Sequence, residues 1–510
     1  MPHFALKSLS VALLLAGSSL LPSAALSGGI HAEDDHDHDH QPNHQANQQQ
    51  SAITSRQLVQ VATTANAASS ASNPAAAGVL DEATLQSLKA APLPKQINPK
   101  VRALVDKLAA SAVIKQALDR LKTDEARFVQ EAIQLSEIPA PTFEEAKKGQ
   151  AYATLLRANG LTDVRIDSIG NVIGVRKGSG QGPTIAVIAH LDTVFDAKTD
   201  VKVKKKGSVL FGPGLTDDSA GLAMMLSWLR TLDQGRIETQ GDLVLVASVG
   251  EEGNGDLRGV KQFFKDNTSI SGAVILEAAP LPVIAIMNTG SNRFQIDFKG
   301  PGGHSYAAFG QVPSAIHAQG RFIAKVADLQ VPASPKTTFT VGIVNGGRSV
   351  NTIAPNASLE IDIRSNGNAE LQATTKQVLA FAGQAAAEEN KRWGTKSLTF
   401  SVKQIGARPG GMTPPESAIV QTWMAAAEAQ GVKPMLLAGA STDAGVPISR
   451  GIPTIVTGFG GKTGGFHSLD ENWDPTNAYK GVQLSFLTTM ALVGVQGVVP
   501  STLTGPEERR

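Results

Sequence analysis

The sequence predicts an α/β fold built around a parallel or mixed sheet. Three segments are near-continuous runs of aliphatic and β-branched residues, and they end at residues 190 (TIAVIAH), 250 (DLVLVASVG) and 277 (GAVILE). Such runs are typical of strands that are buried on both faces. Between the first two lies DDSAGLAMMLSWLRTLDQG, where Leu222, Met225, Leu226 and Leu229 follow the spacing of an amphipathic helix. Alternation of strands and helices indicates a layered α/β architecture.

Polar side chains follow these strands at the edge where α/β sheets bind ligands. His190 ends the first strand, Glu251 and Glu252 follow the second, and Glu277 ends the third. Asp217 opens the intervening helix, where it could equally serve as a cap. Each residue alone also fits a structural role, either a satisfied histidine or an exposed carboxylate. Gathered at one edge, these carboxylates would repel one another, so the group favours a divalent metal with oxygen and imidazole ligands.

Composition narrows the classes of protein and of metal site. The chain of 510 residues has 46 basic and 45 acidic side chains, which argues against a dedicated nucleic-acid binder. It has no cysteine, so disulfides, thiolate zinc sites and cysteine nucleophiles are excluded. Of the ten histidines, six lie in the first 44 residues, which leaves His190, His304, His317 and His467 for the body of the chain. His317 lies in a helical pattern and is expected to be structural.

The N-terminal region predicts export. Lys7 precedes the apolar stretch VALLLAGSSLLPSAAL, and Ala25 and Ser27 suit the −3 and −1 positions of a cleavage site. Residues 1–27 are therefore interpreted as a signal peptide of a periplasmic or secreted protein, with no membrane attachment after cleavage. Residues 28–78, first His-rich and then rich in Ala, Ser and Asn, are expected to be disordered, as a solvated linker or a loose metal collector. A helical N-terminal extension is expected over 79–121.

Five strings together resemble the ordered signature of the di-zinc exopeptidase family, the clan MH metallopeptidases. They are HLDTV, GPGLTDDSAG, SVGEEG, VILEAAP and GGFHSLDE. That family includes glutamate carboxypeptidase, aminoacylase, succinyl-diaminopimelate desuccinylase and peptidase T. The resemblance implies a catalytic three-layer α/β domain with a mixed sheet, in two parts at 122–291 and 409–500. It also implies an inserted, smaller α+β lid or dimerisation domain at 292–408, and residues 501–510 remain as a tail.

The resemblance also implies a two-metal site with one shared ligand. His190 and Glu277 would bind one zinc ion, Glu252 and His467 the other, and Asp217 would bridge them. Cobalt or manganese could replace zinc. The expected cofactor content is therefore two divalent ions per chain.

Further roles follow from the same resemblance. Glu251 would be the general base, and Asp192 would orient the first histidine ligand. His304, in GPGGHSY, would help to polarise the substrate carbonyl, often from the partner subunit, which implies a possible homodimer through the inserted domain. Asn351 and Arg364 would contact substrate; Arg364 could bind a carboxylate bidentately or form an ordinary surface ion pair.

The function expected is hydrolysis of short peptides that have a free carboxyl end. One alternative is an amidohydrolase of N-acyl amino acids, because the family spans both classes of small substrate and the fold does not choose between them. Another is a non-catalytic zinc-binding or zinc-storing protein in which the His-rich segment matters most. The presence of Glu251 together with all five ligand positions favours an enzyme.

Overall fold

The computed structural model describes residues 94, 96–279, 281–437 and 439–503. The predicted signal peptide and the predicted disordered segment therefore lie outside the described residues, as do residues 504–510. Within the described part of the chain, no helix is both long enough and apolar enough to cross a membrane.

The described residues form helices α1 to α11 and strands β1 to β20. The helices are Pro99–Ala110, Ala112–Thr123, Glu125–Ser136, Ala146–Ala158, Ala220–Gly235, Arg258–Asp266, Ala315–Ala327, Asn368–Arg392, Ala418–Ala429, Gly445–Ser449 and Tyr479–Val493. Strands β1 to β10 are Asp163–Ile166, Val172–Arg176, Thr184–His190, Lys204–Lys206, Val209–Phe211, Leu243–Ser248, Ile270–Leu276, Val283–Ala285, Met287–Asn288 and Gly290–Lys299. Strands β11 to β20 are Gly303–His304, Thr337–Gly346, Thr352–Ile353, Asn356–Ser365, Thr399–Arg408, Gly411–Met412, Met435–Leu437, Thr454–Thr457, Lys462–Gly464 and Asn472–Asp474.

An eight-stranded mixed sheet forms the centre of the larger part of the fold, in the order β1-β2-β6-β3-β7-β18-β8-β17. Strands β6, β3, β7 and β18 run parallel to one another, whereas β1, β2 and β8 pair antiparallel with a neighbour. The three strands identified from the sequence are therefore adjacent and parallel. This sheet confirms the predicted α/β class.

Strand β3 shows why its sequence is apolar at every position. Ile185, Val187 and Ala189 belong to an apolar cluster that includes α5, whereas Ala186 and Ile188 belong to a second cluster that includes α6. Successive side chains of a strand point to opposite faces. A strand covered by helices on both faces must therefore be apolar throughout, and the sheet is the middle of three layers.

The helices of the N-terminal extension are part of this fold. Val105 and Leu108 on α1 and Ile114 and Leu121 on α2 are at most 1% exposed, and all four belong to the main apolar cluster. Their partners in that cluster include residues of α9 and α11, which lie hundreds of residues later in the chain. The extension therefore closes the helical layer on one face of the sheet.

A second, antiparallel sheet lies within residues 290–408. Its order is β12-β14-β10-β15, and α7 and α8 cover one face with their own apolar cluster. The alternation of buried and half-buried residues along β14 matches a sheet with one face on a core and one face toward solvent. The strings FQIDFKG, TTFTVGIVNGG and SLEIDIRS indicate strands β10, β12 and β14, and SAIHAQGRFIAKVADL indicates α7; strand β15 and the long helix α8 were not identified from the sequence.

A third, smaller sheet joins two segments that are far apart in the sequence. It has the order β19-β20-β5-β4, and β20 pairs with β5. The turn Leu215–Ser219 follows β5, and the loop with His467 connects β19 to β20. This pairing therefore brings the turn that carries Asp217 close to the loop that carries His467.

Candidate active site

The carboxyl ends of three adjacent parallel strands supply most of the site. His190 is the last residue of β3, Glu251 and Glu252 follow β6, and Glu277 follows β7. All but Glu277 are at least 94% buried. Because β6, β3 and β7 are neighbours, these four side chains meet at one edge of the sheet.

Asp217 occupies the centre of the cluster. Its Oδ1 lies 2.9 Å from His190 Nε2, and its Oδ2 lies 3.1 Å from His467 Nε2. The same His467 nitrogen lies 2.9 Å from Glu252 Oε1. The structure thus brings together two sets of three side chains that share Asp217: one with His190 and Glu277, the other with Glu252 and His467.

These five side chains fit a pair of divalent cations. Within each set the ligand atoms lie within 4.8 Å of one another. Each oxygen of Asp217 faces a different histidine, as a bridging carboxylate requires. Imidazole and carboxylate donors suit zinc, cobalt and manganese. The donor chemistry and the shared carboxylate therefore suit a divalent-metal site.

The imidazole of His190 is held by the backbone of Asp192. His190 Nδ1 lies 2.9 Å from the Asp192 carbonyl oxygen and 3.8 Å from Asp192 Oδ1. Because a carbonyl only accepts, Nδ1 carries a proton, and Nε2, which faces Asp217 Oδ1, is the nitrogen that could bind a metal once its own proton is displaced. The sequence analysis assigned the orienting role to Asp192, and the structure assigns it to the carbonyl oxygen of that residue.

The Asp192 carboxylate instead holds the segment with the two glutamates. Its Oδ1 accepts from Glu251 N and its Oδ2 from Glu252 N, each at 3.0 Å, and Thr142 Oγ1 donates to Oδ2 at 2.9 Å. Asp192 is fully buried, so these charge-assisted hydrogen bonds lie out of water. Asp192 therefore fixes the backbone position of both glutamates just after β6 ends.

Glu251 is paired with an arginine that the sequence analysis missed. Arg408 Nη1 lies 3.1 Å from Glu251 Oε1, and Arg408 Nη2 donates to the Glu251 carbonyl oxygen. Both side chains are at most 6% exposed. Arg408 ends β15 of the second sheet, and no local motif marks it, because the contact spans 157 residues of sequence.

Burial and hydrogen bonding both shift pKa values at the site. Burial raises the pKa of Glu251 to about 8, although the charge of Arg408 opposes the shift. Burial also raises the pKa of Glu277 well above its ordinary value. Hydrogen bonds to Asp217 and Glu252 raise the pKa of His467 to about 10. Protons thus compensate for excess buried acid, and a bound cation would displace them.

A cavity of about 370 Å³ opens onto the cluster, and three arginines line it. Arg293, Arg364 and Arg408 lie on β10, β14 and β15 of the second sheet. Ser291 on β10 pairs with Arg364 on one side and Arg408 on the other, so the arginines occupy neighbouring positions at one end of that sheet. Asp362 binds Arg364 Nε at 2.7 Å and lies 3.4 Å from Arg293 Nε. The sequence-predicted Arg364 therefore both forms an ion pair and lines the cavity.

His304 and Asn351 lie together on the inserted part of the chain and do not line this cavity. His304 is in β11, paired with Thr352 of β13, and Ser305 N donates to the Asn351 carbonyl oxygen at 2.9 Å. Both residues are exposed, and neither is among the described residues that line the catalytic cavity. The backbone N–H of His317 donates to the hydroxyl of Ser314, which caps α7, and His317 Nδ1 lies 3.5 Å from Glu389 Oε1.

Two further buried charges support the turn that carries Asp217. Glu471 accepts hydrogen bonds from the backbone of this turn, and Lys148 contacts Ser219 at its end. Burial lowers the pKa of Lys148 to about 8, whereas the nearby carboxylate of Asp218 raises it. Glu471 lies in the GGFHSLDE string and was not singled out. Lys148 has no sequence signal beyond its place in an amphipathic helix.

Comparison with known sequences gives one family match and several distant relatives. The profile described as "Peptidase family M20/M25/M40" matches residues 186–490. The uncharacterised protein YqjE of Bacillus subtilis is 24% identical over 346 residues, which covers 65% of this chain and 90% of that protein. Carboxypeptidase G2 of Pseudomonas sp. is 24% identical over 243 residues, which covers 45% of this chain and 57% of that enzyme.

Solved structures with the same fold include two peptidases. Aminopeptidase PepT from Bacillus cereus superposes with a TM-score of 0.59 at 23% identity, over 71% of this chain and 97% of that chain. YXEP of Bacillus subtilis is described as a dinuclear metal-binding peptidase from the M20 family. It superposes with a TM-score of 0.54 at 18% identity, over 72% of this chain and 98% of that chain. At these identities the likeness is one of fold.

Proposed function

Because the chain belongs to peptidase family M20/M25/M40, we propose that it is a zinc-dependent exopeptidase acting on short peptides with a free carboxyl end. Membership confirms the resemblance indicated by the five strings and makes the protein a hydrolase of that family. One observation carries the finer proposal: Asp217 presents one oxygen to each histidine of a buried carboxylate cluster, beside a cavity lined by three arginines.

The metal ions would be held by five side chains: His190 and Glu277 for one ion, Glu252 and His467 for the other, and Asp217 for both. When bound, such a pair supplies Lewis acidity, which polarises a scissile carbonyl and lowers the pKa of water. The protein contributes the fixed ligand positions.

Glu251 is the proton carrier in this proposal. As a carboxylate it accepts a proton from the attacking water, and as an acid it returns that proton to the leaving amine. Arg408 fixes the direction of the Glu251 carboxylate through Nη1 and anchors its backbone through Nη2. The base is therefore already oriented before substrate binds, which reduces the reorganisation that the reaction requires.

The three arginines that line the cavity favour a substrate with a free carboxylate. Arg364 and Arg293 share one acid, Asp362, and Arg408 pairs with Glu251, so among the described residues one positive charge of the three remains without an acidic partner at the border of the cavity. Guanidinium groups bind carboxylates through two parallel hydrogen bonds, which fixes the orientation of the substrate. An N-acyl amino acid also has a free carboxylate, so this alternative differs only in what lies beyond the scissile bond.

A homodimer through the inserted sheet is part of the proposal. His304 and Asn351 are exposed and adjacent to each other but do not line the cavity of their own chain. A dimer would let His304 of the partner subunit reach the carbonyl oxygen of the substrate. Export to the periplasm or medium is likewise proposed, from the N-terminal sequence pattern alone.

A hydrolysis screen on zinc-loaded protein tests the proposal. Peptides with a free carboxyl end should be cleaved, their C-terminal amides should be poor substrates, and N-acyl amino acids form the third arm. Release of the acyl group only from the third arm would favour the amidohydrolase alternative. No hydrolysis in any arm, with metal bound, would favour the zinc-binding alternative.

Arg364→Ala examines the carboxylate contact directly. Removing one partner of a desolvated charge pair costs about 2–5 kcal/mol, so kcat/KM for free-acid peptides should fall by roughly 30-fold or more, while amides should hardly change. Arg348→Ala, an exposed arginine of the same part of the chain, is the matched control. Equal losses on acids and amides would contradict carboxylate recognition by Arg364.

A further inference from the structure

Lys148 is buried beneath the metal-ligand cluster and has no part in the chemistry proposed above. It lies on α4 with 0% exposure, and its Nζ donates to Ser219 Oγ at 2.9 Å. Lysine is almost never fully buried unless it is paired, because an ammonium loses its hydration there. The Ser219 hydroxyl in turn donates a hydrogen bond to the Gly214 carbonyl oxygen at 2.6 Å. Lys148 thus reaches both ends of the turn that carries Asp217.

Glu471 holds the same turn through its N–H groups. Its Oε2 accepts from Gly214 N at 2.8 Å, and its Oε1 accepts from Thr216 N at 2.8 Å, Thr216 Oγ1 at 2.7 Å and Asp217 N at 3.2 Å. Glu471 is also fully buried. Because it lies four residues after His467, it ties the loop of one histidine ligand to the backbone of the bridging carboxylate.

We propose that Lys148 and Glu471 are positioning residues that together hold Asp217 in its bridging orientation. Glu471 binds the N–H groups of the 214–217 backbone, and Lys148 acts through Ser219 on the carbonyl of Gly214. Asp217 has non-helical backbone angles three residues before α5 begins, so the contacts made by Glu471 and Ser219 hold the turn there in place of a helical ladder. Without these contacts, the two oxygens of Asp217 would not be held toward His190 and His467.

The charge of Lys148 serves the same purpose. Its ammonium interacts electrostatically with four buried or partly buried carboxylates: Asp192, Asp217, Asp218 and Glu471. Among these four acids, Asp218 has the largest effect on the pKa of Lys148. Asp218 is fully buried, and its carboxylate accepts hydrogen bonds from His190 N at 3.1 Å and Gly221 N at 3.2 Å. A positive charge next to the turn offsets repulsion between these acids. The ligand carboxylate can therefore stay close to its neighbours.

Lys148→Met tests the inference, which rests on the proposed metal site. Methionine has a similar length and no charge. We expect the affinity for Zn²⁺ and for Co²⁺, measured by competition with a chromophoric chelator, to fall about 10- to 100-fold, the usual effect of removing a group that orients a ligand. The Tm of the metal-free protein should fall only modestly, because the buried acids left without Lys148 can take up protons. Lys147→Met, on the same helix but exposed, should change neither quantity.

Glu471→Gln examines the other side of the turn. An amide NH₂ cannot accept from the N–H groups that Glu471 binds, so metal affinity should again fall about 10- to 100-fold. Asp470→Asn, at the neighbouring exposed position, is the control. If Lys148 acts through Ser219, Ser219→Ala should weaken metal binding, and adding Lys148→Met to it should cause little further loss.

The outcomes separate this inference from the proposed function. Tight binding of two ions by the wild type, with unchanged affinity in both Lys148→Met and Glu471→Gln, would overturn the positioning roles and leave the enzyme proposal standing. A loss of metal affinity matched by an equal loss of metal-free stability would show a merely structural role and would also overturn them. A wild type that binds no divalent ion would remove both proposals.

Discussion

At the scale of single residues, the pairing of Glu251 with Arg408 decides how the proposed base works. Glu251, buried beside Glu252, keeps its proton to about pH 8 even with Arg408 next to it, because burial and like charges both disfavour ionisation. Arg408 lowers the pKa of Glu251, and cations would lower it further. The base is therefore available as a carboxylate only in a site that already holds its positive charges.

Glu251→Gln should preserve the fold and remove most of the activity. The amide oxygen can still accept from Arg408, but the amide cannot take a proton from water. General acid–base groups contribute about 10²–10⁴-fold, so kcat should fall within that range while metal content stays at the wild-type level. Steady-state kinetics and elemental analysis measure the two quantities. Glu144→Gln, which changes an exposed glutamate, is the control; turnover of Glu251→Gln within a few-fold of wild type would remove Glu251 from the role of base.

At the scale of elements, the site depends on segments that are assembled from distant parts of the sequence. The β6-β3-β7 strands place three ligand positions at one edge because adjacent parallel strands end together. The β20–β5 pair joins the His467 loop to the turn that carries Asp217. Helices α1 and α2 complete the layer that covers one face of the sheet. The N-terminal extension is therefore expected to support the catalytic fold.

Leu108→Ala measures this support. Leu108 is 0% exposed on α1 within the main apolar cluster. Its truncation should lower the free energy of unfolding by about 2–5 kcal/mol, the usual cost of a buried leucine, as measured by urea unfolding. Lys107→Ala, exposed on the same helix, should stay within about 0.5 kcal/mol of wild type. Equal stability of the Leu108→Ala variant would mean that α1 contributes little to folding.

At the scale of the whole molecule, the buried acids link stability to pH in the absence of metal. The pKa of Glu251 is 4.5 when the group is exposed and about 8 in the folded chain. The pKa of His467 is 6.5 when the group is exposed and about 10 in the folded chain. In both cases the folded chain retains a proton that the unfolded chain has lost. Stability therefore decreases as pH rises above the unfolded value of each group. Bound metal reverses this dependence, because its ligands must be deprotonated.

The Tm of chelator-treated protein should therefore fall between pH 5 and pH 8. In the same interval, the increase in Tm caused by added Zn²⁺ should grow. Thermal unfolding at several pH values, with and without metal, measures both trends; the interval ends at pH 8 because Lys148 begins to titrate there with the opposite sign. A Tm of the metal-free protein that rises steadily over this range would contradict the raised pKa values at the site.

Much of the fold and most residues of the candidate metal cluster could be predicted from the sequence. The apolar runs of β3, β6 and β7 are local patterns, and the position of a residue at the end of a strand needs no further information. His190, Glu251, Glu252 and Glu277 were therefore identifiable from their places after those runs. His467 and Asp217 required the ordered strings of the family, since each lies in a loop without a regular period.

Only the tertiary structure decided which other charges complete the site. Arg408 meets Glu251 across 157 residues, Lys148 meets Ser219 across 71, and Glu471 meets Thr216 across 255. The structure also places His304 and Asn351 on the inserted part, outside the cavity of their own chain. Hydrophobic periodicity fixes which face of an element is buried, because burial depends on apolar area along that element. Ion pairs in the interior depend on where separate elements dock, and no local pattern encodes that position.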